Sequence, residues 1–179
     1  MTPNQQDRQR LRFAAAQAAV QEVGTAEYPP GSNKVKYTIW YGLNGFPWCA
    51  QFVSWVYNRA SKATGVENPL LGMHTPKGFS STVFGFGAAK RKGLVLGPIE
   101  QLMLGDIIVW KKTPVTGHTG IITKIYDDGS FDVTEGNTSA VDHSSRNGGE
   151  VATHRHTRTD GKHGNLLGFI RPTRKFINR

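Results

Sequence analysis

The chain has 179 residues, 37% of them hydrophobic, and carries 22 Lys and Arg against 13 Asp and Glu, a formal charge of +9. That length buries one sizeable core, so a single domain over 1–179 with no second domain is expected, and its one cysteine excludes an internal disulfide. No stretch approaches the about 20 apolar residues of a membrane span, which argues against membrane insertion, while the charge points to an anionic partner: nucleic acid, phospholipid or a phosphate-bearing wall.

The first apolar run, "LRFAAAQAAV" at 11–20, follows Arg8 and Arg10 as the core of a secretion signal would, but Arg12 and Gln17 interrupt it. Leu11, Ala14, Ala15, Ala18 and Ala19 recur at helical spacing, so it reads as an amphipathic helix over 6–23. "AEYPPGSNK" then breaks the pattern with two prolines and a glycine. A second helix is expected over 49–60 and a third over 78–90.

Everything beyond reads as strands. "GDIIVW" at 105–110 is a short buried run, and 118–126 and 130–136 flank "DDG", a hairpin signal. "GEVATHRHT" and "LLGFIRP" close the series, and "RPTRKFINR" ends the chain as a solvated basic tail. Helices first and antiparallel strands second make an α+β domain.

Cys49 stands in "GFPWCAQFVSW". It shares a helical stripe with Val53, Val56 and Ala60, as a buried structural cysteine would. Pro47, a typical first-turn residue, instead puts it at a helix start, where free N–H groups and the helix dipole favour a thiolate and can hold an oxyanion. On that reading the thiol is expected to titrate below about 8.5 and to alkylate quickly at neutral pH.

A nucleophile needs a base, and of the six histidines His118 is singled out, at the mouth of a strand between glycines in "TGHTG". "TEGN" on the next strand supplies Glu135 and Asn137 as groups to fix the imidazole. A two-residue turn at Asp128 and Gly129 puts all three on one face but sets Glu135 opposite Ile122; a longer loop brings Glu135 level with His118. His74 and His143 lie in loop-like surroundings. His154 and His156 share a strand face, and with no nearby carboxylate or cysteine they read as solvated rather than as a metal pair.

"NGFPWCAQFVSWVY", "GDIIVW", "GHTGIIT" and "TEGN", in that order, resemble the cysteine, histidine-dependent amidohydrolase/peptidase (CHAP) family, a branch of the papain-like NlpC/P60 superfamily, over about 22–172. The resemblance implies a papain-like α+β fold, with helices on an antiparallel sheet. It implies Cys49 as nucleophile, His118 as base, Glu135 as the residue orienting it and Asn137 as a further polar member. Trp48, Asn44 and Tyr41 are candidate substrate contacts beside the cysteine. No cofactor is implied, no metal ligand is assigned, and activity is expected to survive chelation because "KYTIWYGLNGFPW" has no acidic residue for calcium.

The expected activity is hydrolysis of an amide bond in bacterial peptidoglycan, as an N-acetylmuramoyl-L-alanine amidase or a stem or cross-bridge endopeptidase. The expected setting is a monomeric phage endolysin, made in the host cytoplasm without a signal peptide, acting on the wall and not on nucleic acid. The alternative is a non-catalytic wall- or nucleic-acid-binding module on the same fold.

Overall fold

A computed structural model describes residues 4–140 and 148–174; His143 and residues 175–179 of the basic tail lie outside them. Helix α1 spans Gln5–Val20, and its start is fixed by a capping box in which the Asn4 side chain accepts from the Asp7 backbone N–H. Leu11, Ala15, Ala18 and Ala19 are buried as their spacing predicts, and Ala14 is partly so.

A short helix, α2 (Lys36–Tyr41), follows the proline-rich break and was not foreseen; six residues carry too little periodicity to announce it. Helix α3 is Cys49–Thr64 and α4 is Thr82–Arg91. No helix among the described residues is long and apolar enough to cross a membrane.

The second half forms β1 (Ile107–Lys111), β2 (Gly117–Ile125), β3 (Phe131–Thr138), β4 (Glu150–His156) and β5 (Asn165–Ile170). They build one antiparallel sheet in the order β4-β3-β2-β1-β5, so the fold is α+β and fits a papain-like CHAP architecture.

Alternation divides the sheet's side chains between two cores. Ile107, Val109 and Ile121 pack with Val53, Val56, Tyr57 and Leu11 from α3 and α1. Ile108, Trp110, Ile122, Phe131 and Val133 form the other face with Leu96, Leu102 and Phe169. His118 pairs with Trp110 across β1 and β2 and shares that second face.

Candidate active site

Cys49 is the first residue of α3, capped by Trp48, and is 5% exposed. Pro47 therefore precedes the helix rather than lying in its first turn, yet the placement of the thiol at the helix start holds. Close approach of α3 to β3 depends on Gly136, where a Cβ would lie 2.6 Å from the Trp48 ring and 2.7 Å from Phe52 Cβ.

His118 reaches its partner through a register that neither simple turn describes. The β2–β3 loop places Ile125 opposite Phe131, and a bulge between Ile122 and Lys124 then sets Gly120 opposite Glu135. Loop and bulge each shift the pairing by one residue, so their effects on facing cancel. Glu135 lands on the face of His118 and two residues along, and the absence of a side chain at Gly120 leaves room for it, since a Cβ there would be 2.8 Å from Glu135 Cγ.

The result is a hydrogen bond of 2.7 Å between His118 Nε2 and Glu135 Oε2, both side chains being essentially buried. Nε2 carries the proton in the neutral ring because a carboxylate only accepts, so Nδ1 keeps the lone pair a base needs. Asn137, at φ 57 beyond the Glu135 irregularity, is buried with Oδ1 making no hydrogen bond among the described residues.

Cys49, His118 and Asn137 meet in one cavity of about 450 Å3. Its walls are Leu43, Phe46 and Pro47 before α3, Ser80 to Thr82 at the start of α4, and Lys112, Thr113, Val115, Thr116 and Gly117 from the end of β1 to the start of β2. The four sequence-predicted site residues thus come together, Glu135 from behind His118. The predicted substrate contacts do not join them. Trp48 is fully buried with Nε1 donating to Glu27 Oε1 at 2.8 Å, so its contact with substrate is corrected to a core role. Asn44 instead bonds Thr38, and the Tyr41 hydroxyl bonds Thr75; neither lines the cavity. Exposed Phe46 and Val115 supply the apolar walls that sequence reasoning missed.

Burial dominates the electrostatics of the pair. It pushes the Cys49 thiol up to about 11, against the pull of the Ala50 and Thr119 backbone N–H groups and of Lys112. Desolvation likewise takes His118 down to about 4 despite Glu135. The resting pair is therefore a neutral thiol and a neutral imidazole, which reverses the expectation of a low thiol pKa from the helix start. Iodoacetamide labelling of the free protein should rise about tenfold per pH unit from pH 7 to near pH 10, since only the thiolate reacts. A plateau below pH 8 would mean that the thiolate already exists in the resting site.

Behind His118 lies a feature opposite to the expected solvated face. His154, His156 and His163 are all buried, and with His118 they surround Glu135. β4 pairs with β3 so that Val133 opposes His154 and Phe131 opposes His156, which points both rings at the second core and leaves Arg155 outside. The missing carboxylates are Glu135, across the sheet, and Asp160, whose Oδ2 is 2.7 Å from His156 Nδ1. Burial penalises the Glu135 carboxylate, but the surrounding imidazoles outweigh it and hold its pKa well below the usual range. Ligand-capable atoms of Glu135, His154, His156 and His163 lie within 4.8 Å of one another.

A family model described as the CHAP domain matches residues 40–137, more than half of the chain, and covers Cys49, His118, Glu135 and Asn137. No curated protein matches the chain.

Proposed function

Because this chain belongs to the CHAP domain family, whose members are cysteine- and histidine-dependent amidohydrolases and peptidases of peptidoglycan, we propose that it cleaves a wall amide bond through a Cys49 thioester. The observation that carries this reading is the His118 Nε2 to Glu135 bond, which leaves Nδ1 as base in the cavity that also holds Cys49.

In this mechanism His118 accepts the thiol proton as sulfur attacks the amide carbon, so a high thiol pKa is met by proton transfer during attack rather than before it. The Cys49 backbone N–H, which as the first of α3 has no intrahelical acceptor, and one further donor hold the oxyanion. The imidazolium protonates the departing amine, and water deprotonated by the same ring hydrolyses the thioester. Glu135 fixes the tautomer and orientation throughout. Asn137 lines the cavity, and its buried Oδ1 makes no hydrogen bond among the described residues, so its side chain is a polar contact for the substrate.

The bond cut is read by mass spectrometry of digested peptidoglycan. New L-alanine amino termini mark an amidase, new glycine or D-alanine ends an endopeptidase, and an undigested wall would refute hydrolysis. A lytic setting, that of a phage endolysin acting as a monomer, completes the proposal. Its support is the net charge of +9, which attracts anionic wall polymers. Wall clearing should therefore fall between low and half-molar salt, because the Debye length shrinks to a few ångströms; unchanged clearing would remove that support.

A further inference from the structure

We propose that Glu135, His154, His156 and His163 form a closed four-ligand site for a divalent metal of the zinc class, set behind His118 and outside the substrate cavity.

Donor set and spacing both fit. Imidazole nitrogen with one carboxylate oxygen suits zinc, at about 2.0–2.1 Å per bond. A tetrahedron of such bonds has edges of about 3.3 Å, a geometric consequence of those bond lengths. Around Glu135, Oε1 is 2.7 Å from His156 Nε2 and 3.5 Å from His154 Nδ1, and Oε2 is 3.1 Å from His163 Nε2. With all four ligand atoms within 4.8 Å of one another, the set would contract toward that edge length around one ion.

Hydrogen-bond direction supports the same assignment. His154 Nε2 lies 2.9 Å from the Ser139 carbonyl, which can only accept, so that nitrogen carries the proton and Nδ1 turns a lone pair toward Glu135 in a neutral ring. His156 stands between two carboxylate acceptors, Asp160 at Nδ1 and Glu135 at Nε2, a setting that calls for positive charge at this ring. A metal ion between the rings and Glu135 supplies that charge and takes the lone pair of His154 Nδ1. His163 is the independent sign: its Nε2 is buried, aimed into the cluster, and makes no hydrogen bond of acceptable geometry among the described residues.

The surroundings are those of a metal ligand shell. Ligating histidines usually give their second N–H to a carboxylate or a backbone carbonyl; Asp160 and the Ser139 carbonyl stand in those places. Trp110 packs 5.0 Å from the His156 ring and 4.9 Å from the His163 ring, covering the cluster with an apolar wall. With four protein ligands the site is closed, hence structural. It would tie β3, β4 and the loop carrying Asp160 and His163 together through the Glu135 carboxylate, whose Oε2 also accepts from His118. The metal thus acts as a positioning element for the imidazole.

The test uses chelator-treated Cys49→Ala protein, which removes the thiol as a competing ligand and is independent of wall hydrolysis. Zinc titrated by calorimetry should bind at one per chain, and cobalt should give the visible d–d bands of a tetrahedral site. Saturating zinc should raise Tm by about 5 °C or more. His154→Gln and His163→Gln, checked for folding by circular dichroism, should each weaken binding by at least about a hundredfold. The proposal falls if Cys49→Ala protein binds no stoichiometric zinc, if its cobalt spectrum is octahedral, or if folded histidine variants bind as tightly as their parent. Should a histidine variant not fold, the stoichiometry and cobalt spectrum of Cys49→Ala decide alone.

Discussion

Cys49→Ala and His118→Ala are each expected to reduce wall hydrolysis by at least about 10³-fold, read as release of soluble muropeptides, while the Tm of Cys49→Ala stays near that of the parent and that of His118→Ala falls, because it takes a hydrogen bond from the buried Glu135 carboxylate. Both losses follow from a mechanism in which one sulfur forms the acyl bond and one imidazole moves every proton, so removing either leaves no covalent route. Cys49 is the one thiol of the chain, so no neighbouring sulfur can replace it. The double variant should be no worse than either single, because groups acting as a unit are not additive. Glu135→Gln should cost about 10²-fold or more: the amide still accepts from His118 but cannot stabilise the imidazolium. Cys49→Ala protein that still clears walls would end the nucleophile assignment and favour the binding-module alternative.

What the sequence disclosed and what it hid divide along a physical line. Helices α1 and α3 were legible because sixteen residues repeat an apolar stripe, and Pro-Trp-Cys marked a helix start to within two residues. The ordering of strands was equally open. The β2–β3 register was not, since a bulge leaves no composition signal, and the facing of His118 and Glu135 survived only because loop and bulge offset each other.

The histidine cluster failed for a different reason. The spacing of His154 and His156 gave their shared face correctly, but deciding whether that face was wet required knowing that β4 lies beside β3 and that the later loop folds His163 over it. Asp160, four residues after His156, was the local signal available. Trp48 likewise reads as cleft or core from sequence alone; its indole N–H bonded to Glu27 decides for core.

Arg171→Met is expected to destabilise the protein by about 3 kcal/mol, because it strips a buried carboxylate of its counter-ion. Asp106 is fully buried at the entry to β1, where it accepts from Arg171 Nε at 2.9 Å, from Arg171 Nη2 at 2.7 Å and from the Met103 backbone N–H at 2.8 Å. Desolvation already raises the Asp106 pKa above its ordinary value even with Arg171 opposing it; without Arg171 the rise must grow. The folded variant would then bind a proton more readily than the unfolded chain, so its stability deficit should widen as pH climbs through the raised folded pKa and shrink below about pH 4, where Asp106 is protonated in both states. For a chain of this length the loss at pH 7 corresponds to a Tm drop of about 6–12 °C. Adding Asp106→Asn should return most of it, since the neutral amide keeps an acceptor for Met103 and carries no buried charge. Equal destabilisation of the single and double variants, or a deficit flat with pH, would show that Arg171 matters for packing and not as the partner of Asp106.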